Sequence, residues 1–335
     1  MVLFTLLFLY AGIELVFQIS LSAKTGIVNE LFEFKKKADQ NHMSIEAYAF
    51  NMAYSPYLGW GQFEKKIYEV NAKTSKTSKT TTILFIGDSV TAAHGVEIGE
   101  GYVDLLHQQY KNRNIRLINL AVRGYGVDQM LMKLEFEARK YNPDLIILAF
   151  IPHDLIRPAN DFLYGLPKPK YEFDANNIHL KLAGHIDSTF NRYMFAREHY
   201  QLTFFHLSRY LENRQYYVPG FFNKYYDQLY TYLSNQLKRY ASSNKTPIVI
   251  VRLPNTFQFR GLSDILSLAE RRFKEVDVAS KDVSYIDLDL CAKERSQSRN
   301  VNFNHEFEFH PGKQGHAVIA ECLAESLKAV IPKNE

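Results

Sequence analysis

Five short stretches of this chain are apolar with little alternation: TILFIG (82–87), IRLINLA (115–121), DLIILAF (144–150), PIVIVRL (247–253) and SYIDLDL (284–290). A strand with one wet face alternates apolar and polar residues, so runs without that alternation suit strands covered on both faces, as in a parallel sheet. Between and after them, apolar residues recur with helical spacing at about 100–111, 127–141, 223–242, 263–279 and 314–331. Strand and helix therefore take turns. That order predicts a doubly wound, flavodoxin-like α/β/α sandwich built on a five-stranded parallel sheet.

The alternation starts near Thr81, which sets a main domain of residues 81–335. Residues 2–23, VLFTLLFLYAGIELVFQISLSA, hold one charge, Glu14, and approach the roughly 20 apolar residues a membrane-spanning helix needs. A cleaved signal peptide is the rival reading, but the positive n-region is missing and the stretch is long for an h-region. A buried soluble helix fits the length poorly, so the expectation is a transmembrane anchor over residues 1–23. Residues 24–80 then form a juxtamembrane region and linker, with the turn-rich YSPYLGWGQ around Trp60 and the low-complexity KTSKTSKTTT at 73–82.

Residues 155–222 interrupt the rhythm with a connection too long for a simple crossover, which predicts an elaboration beside the sheet. Within it KPKYEFDANNIHLKL reads as a small β-hairpin. The following YMFAREHYQLTFFHLSRYL either lines a sugar or acyl pocket or packs an inserted helical subdomain.

Hydrophobic residues make up 46% of the 335 and aromatic ones 14%, ample for a large buried core. The formal charge of +4 comes from scattered lysines and arginines with no basic stripe, which argues against a nucleic-acid partner. Cys291 and Cys322 are too few for a disulfide framework and have no zinc spacing. Cys322 falls on the apolar stripe of the last helix with Val318, Ile319 and Leu323, where it reads as a small buried hydrophobe.

Open parallel sheets bind ligands beyond the carboxyl ends of their strands. Gly87, Asp88 and Ser89 follow the first strand; Asn119, Arg123 and Gly124 follow the second; His153 and Asp154 follow the third; Glu306, Glu308, His310 and His316 follow the last. This is the inventory for acyl transfer: a nucleophile, a base, an acid to orient it, and donors for an oxyanion. Each member also has a plainer role. Ser89 is placed to cap a helix, Gly124 or Gly126 to give a turn its positive φ, and His310 to be a structural histidine before Pro311. Glu306, Glu308 and His310 share one face of an extended segment and in principle suit a metal, though no fourth ligand accompanies them.

FIGDSVTAAHG, NLAVRGYGVDQ, DLIILAFIPHD and EFHPGKQGHAVIAECL, in this order, resemble the blocks of the SGNH, or GDSL, hydrolase family across residues 82–330. The resemblance implies the flavodoxin-like three-layer fold and the hydrolysis or transfer of acyl esters, often O-acetyl groups on carbohydrates, without metal or cofactor. It assigns Ser89 as nucleophile and first oxyanion donor, Gly124 as second donor and His310 as base. Two positions depart from the pattern. His153 stands where the family has the asparagine that completes the oxyanion hole, and Glu308, two residues before His310, stands in for an aspartate. Glutamate can orient an imidazole, and an imidazole N–H can donate in place of an amide.

The leading expectation is thus a serine esterase with a Ser89–His310–Glu308 triad acting on an acyl ester, with an acylated glycan as the carbohydrate case. Two alternatives stand beside it: an acyltransferase to a sugar hydroxyl, and a non-catalytic glycan-binding or scaffold protein, motivated by His153. The anchor and the PYLGWGQ and KPKYEFDANNIHLKL segments resemble, more loosely, membrane-tethered bacterial members associated with surface polysaccharides. That places the domain outside the cytoplasm, whereas Lys24 and Lys35–Lys37, with no Lys or Arg ahead of the apolar stretch, favour the cytoplasmic side. The outside is the expectation.

Overall fold

The computed structural model describes residues 12, 55–61, 65–69, 80–159, 162–163, 166–173, 178–182, 221–254, 263–304 and 310–331. The chain divides into two compact units, one of Phe63–Pro158 and Tyr225–Glu335, the other of Met1–Gln62 and Ala159–Lys224.

The first unit is an α/β fold on a six-stranded mixed sheet. In chain order its strands are β1 (Lys66–Tyr68), β2 (Thr81–Gly87), β3 (Ile115–Asn119), β4 (Leu145–Phe150), and, after the four short strands of the other unit, β9 (Ile248–Arg252) and β10 (Val283–Asp287). Its helices are α1 (Tyr102–Tyr110), α2 (Val127–Glu137), α3 (Phe221–Asn244, counted here from Tyr225), α4 (Ser263–Ala279), α5 (Asp289–Arg299) and α6 (Lys313–Leu327). The order across the sheet is β1-β3-β2-β4-β9-β10. Every pairing from β3 to β10 is parallel, in the registers Phe85↔Asn119, Phe85↔Ile147, Leu148↔Ile250 and Ile250↔Tyr285.

Five of the six strands are the apolar runs of the sequence, and the doubly wound order they predicted is present. The sixth corrects the five-stranded parallel sheet: β1 adds to the outer edge antiparallel to β3, with Ile67 opposite Ile118. It is held by Tyr68, whose Oη donates to Asp104 Oδ1 (3.1 Å), and by the Lys66–Asp104 ion pair. Three residues with one buried side chain carry no periodicity, so a sequence pattern cannot reveal such a strand. It covers the row of backbone groups that β3 would otherwise leave open.

All seven residues of β2 and all six of β4 are buried. Ile83, Phe85, Ile147 and Ala149 share one core cluster with Val103 and Leu106 of α1 and Val318, Ile319 and Leu323 of α6. Leu84, Ile86, Leu148 and Phe150 alternate with them and are equally buried, so they face the opposite side. There the Phe150 ring lies 5.5 Å from Phe273 of α4, which in turn meets Tyr230 of α3 at 5.9 Å. Helices therefore cover both faces, which is why the strands carry no polar alternation.

Cys322 is not the free small hydrophobe expected from its stripe. Cys291 of α5 and Cys322 of α6 form a disulfide across a separation of 31 residues. Closing a loop of that length is worth roughly 3–4 kcal/mol through the unfolded chain. The sequence reading missed α5 by running the last strand on to Leu290. The strand ends at Asp287, whose Oδ1 accepts the Asp289 N–H (2.9 Å) and opens the helix.

In the second unit, Ser55 and Gly59 exchange backbone hydrogen bonds of 2.6 and 2.7 Å, closing the turn expected around Trp60. β5 (Phe162–Leu163) pairs with β6 (Leu166–Pro167), and β7 (Lys170–Phe173) pairs antiparallel with β8 (Ile178–Lys181), the hairpin read from KPKYEFDANNIHLKL. The aromatic stretch 193–211 lies outside the described residues, as does the apolar stretch 2–23 apart from Gly12. Among the described residues no helix is long and apolar enough to cross a membrane.

Candidate active site

β2 lies between β3 and β4, so the chain leaves it toward one side and returns past it to the other. At such a switch point the loops after the strands splay apart and leave a crevice. Three segments border it: 88–95 after β2, 120–126 after β3 and 151–157 after β4.

Gly87 closes β2 where no side chain fits. A Cβ there would fall 2.2 Å from Thr91 Oγ1 and 2.8 Å from Ala149 O. The chain then makes a tight turn, with Ala92 N–H bonded to Asp88 O (2.9 Å) and His94 N–H to Ser89 O (2.9 Å). The side chain that caps this turn is Asp88, whose Oδ1 accepts the Val90 N–H at 3.0 Å. No helix begins at Ser89 for it to cap; α1 starts at Tyr102, within the 100–111 stretch expected for it. Ser89 is therefore relieved of capping. Its Oγ stands 2.8 Å from His310 Nε2 and 3.2 Å from Asp88 Oδ2.

Ser89 is only 4% exposed, so its hydroxyl exchanges little of its bonding with water. The hydroxyl has two polar partners at hand, and the imidazole is the nearer. His310 is held from behind by the chain around it. Asn304 pairs with Pro311, and Gly312 N–H donates to Phe303 O (3.0 Å), immediately before α6. Glu306 and Glu308 lie between these pinned ends, outside the described residues.

Gly124 is buried at φ +82°, a left-handed conformation that side chains resist. Gly126 does not compete for that role. It is extended at φ −86° and stands as the N-cap position of α2. Asn119 serves the scaffold: its Nδ2 donates to Thr91 O (2.7 Å) and its Oδ1 accepts from Ala121 N–H (3.0 Å), tying the second loop to the first.

His153 sits in the 3-10 turn Pro152–Leu155. Asp154 holds that turn, its Oδ2 accepting the Ile151 N–H at 2.9 Å and its Oδ1 bonded to Arg157. Burial and the neighbouring Asp88 push the Asp154 carboxyl up, against the pull of Arg157. Burial, aided by the Arg157 charge, holds His153 down at about 4, so its imidazole is neutral near pH 7.

His316 belongs to the framework instead. It is fully buried in α6, its Nδ1 accepts the Tyr102 N–H (3.2 Å), and burial holds it down at about 4. A histidine depressed in the folded state takes up a proton on unfolding between about 4 and its ordinary 6.5. Its stabilising contribution is complete above that window and is lost as pH falls through it. Replacing His316 with glutamine, which keeps an acceptor for Tyr102, should flatten the fall in stability between pH 7 and 5 by up to about 1.4 kcal/mol per pH unit. Urea midpoints across that range read the slope, and an unchanged slope would show that His316 titrates normally.

Two further residues flank the Ser89–His310 pair: Arg123, one of the residues after the second strand, and His94, to which no motif assigned a role. The His94 ring meets His310 edge-on at 4.8 Å, and Arg123 Nη1 lies 3.1 Å from His94 Nδ1. The position of His94, five residues after the serine in the same turn, was the available signal.

The sequence matches the GDSL-like lipase/acylhydrolase family over residues 85–318. No curated protein matches it. Similar solved structures include a lipolytic G-D-S-L family member from Veillonella parvula, 15% identical over 73% of this chain and 97% of that one, with TM-score 0.43. A psychrotrophic esterase from Pseudoalteromonas sp. is 15% identical over 75% and 98%, with TM-score 0.42. A catalytic mutant of an acetylxylan esterase from Geobacillus stearothermophilus is 14% identical over 76% and 96%, with TM-score 0.44.

Proposed function

Because this chain belongs to the GDSL-like lipase/acylhydrolase family, we propose that it hydrolyses acyl esters with Ser89 as nucleophile, His310 as base and Glu308 as the acid that orients the base. The observation that carries this reading is the 2.8 Å contact between His310 Nε2 and Ser89 Oγ, two residues 221 positions apart in the chain. At that distance the imidazole can take the hydroxyl proton as Oγ attacks the ester carbonyl.

The carbonyl oxygen becomes an oxyanion, which the N–H groups of Ser89 and Gly124 and the imidazole N–H of His153 stabilise. His310 returns the proton to the departing alcohol as the C–O bond breaks, leaving the acyl group on Ser89. Water, losing a proton to His310, then attacks the acyl carbonyl; the carboxylic acid leaves and Ser89 regains its proton. An organophosphonate that labels Ser89 while abolishing aryl acetate hydrolysis is the direct test. Failure to label well-folded protein would sink the esterase reading.

For substrate we favour an O-acetyl ester on a carbohydrate, the class that the resemblance to polysaccharide-associated members implies. For location we propose an anchor at residues 2–23 with the domain outside the cytoplasm. The Cys291–Cys322 disulfide supports that side, since such bonds persist in oxidising compartments. Protease added to intact cells should then digest the domain, whereas protection until lysis would put it inside.

A further inference from the structure

Arg157 joins the three loops of the crevice, and no motif announces it. It follows the turn that carries His153 and is 6% exposed. Its Nη1 donates to Asp154 Oδ1 and to Tyr125 O (2.9 Å), the carbonyl of the residue after Gly124. The same nitrogen lies 3.9 Å from Oδ2 of Asp88, the residue before Ser89. Nη2 reaches His153 Nδ1 at 3.4 Å.

That last contact has only one polarity. A guanidinium carries five N–H donors and no acceptor, so Nη2 donates and Nδ1 accepts. A neutral imidazole has one ring proton and two places for it, and with Nδ1 accepting, the proton resides on Nε2. A proton on Nδ1 would instead face the guanidinium protons. Here histidine differs from asparagine. An amide always presents N–H donors, whereas an imidazole presents one at a given nitrogen only if something selects the tautomer.

We propose that Arg157 is a positioning residue of the oxyanion hole, fixing His153 as the Nε2–H tautomer and tying its turn to the loops of Ser89 and Gly124. This rests on the reading of His153 as the third oxyanion donor. Arg157 touches no reacting atom; it acts through His153. A lysine could satisfy Asp154 and the Tyr125 carbonyl, but a compact ammonium cannot also reach Nδ1 in the geometry of the guanidinium fork.

Nitrogen NMR of the full-length chain with labelled histidine, the His153 signal assigned by its loss in His153→Asn, should show His153 protonated at Nε2. A signal protonated at Nδ1 in the wild-type chain would overturn the proposal without recourse to any Arg157 variant. In Arg157→Lys the signal should shift toward a mixture of tautomers, and kcat for an aryl acetate should fall about 10- to 100-fold with KM little changed, part of the roughly 10²- to 10³-fold that one oxyanion donor supplies. The same substitution made in the His153→Asn chain should change kcat less than about threefold relative to that parent, because an asparagine has no tautomer to set. An equal loss in both backgrounds would reduce Arg157 to a structural role. If the parent chain shows no turnover, the esterase reading fails, and the tautomer spectrum still decides what Arg157 does.

Discussion

Ser89→Ala is expected to lower kcat for an aryl acetate by on the order of 10⁵- to 10⁶-fold and to abolish phosphonate labelling, with the fold left intact. In the proposed mechanism the Ser89 hydroxyl oxygen, 2.8 Å from His310 Nε2, is the atom that forms the acyl-enzyme. Stability should change little. Asp88 keeps the Val90 N–H and its place near Arg157 when the serine hydroxyl is gone, so no buried carboxylate is stranded. His310→Ala should cost nearly as much, and the double substitution little more than either single one, because nucleophile and base act as a unit. Residual activity would come from the oxyanion donors and from substrate binding. Two additive losses would show that serine and histidine do not serve one step, and hydrolysis undiminished in Ser89→Ala would remove the mechanism.

The side chains at this site differ in how far the sequence disclosed them, and the difference follows from where their constraints lie. Ser89, Gly124 and His310 follow strands or precede a helix whose apolar patterns are strong, so their placement at one sheet edge is a consequence of topology. Whether Ser89 capped a helix or served as nucleophile could not be settled from local pattern. The folded chain shows that Asp88, not Ser89, takes the capping bond, a division of labour between neighbours that has no periodic signature. Arg157 was hidden for another reason. It falls at the start of what reads as an insertion, and its partners are the carbonyl of Tyr125 and the side chains of Asp154 and His153, so only the folded chain assembles its role. The disulfide was hidden because one of its helices was. DLCAKERSQSR is too polar and short to stand out as a helix, and without α5 beside α6 the separation of Cys291 from Cys322 carries no geometry.

The orienting acid gives the second large expected effect. If Nε2 accepts from Ser89, as the proposed mechanism requires, the one ring proton of a neutral His310 sits on Nδ1, where an acceptor would hold it. Glu308 is two residues away, and His310 precedes Pro311, which biases it toward extended backbone. In an extended segment residues two apart share a face, and in the proposed triad it is the Glu308 carboxylate that meets Nδ1–H and stabilises the imidazolium formed as the proton transfers. Glu308→Gln should therefore lower kcat by about 10⁴-fold, as an amide in the orienting position can stabilise the wrong tautomer and carries no charge. Glu308→Asp should recover part of that loss, limited by its shorter reach. Glu306 shares the same parity but stands four residues from His310, and Glu306→Gln should change kcat by less than about threefold, within what removing an uninvolved charge does through bulk electrostatics. Partial rescue by Glu308→Asp, which restores a carboxylate, separates this from mere loosening of the segment, which would leave both variants equally slow. If Glu306→Gln produces the large loss while Glu308→Gln does not, the triad closes through Glu306.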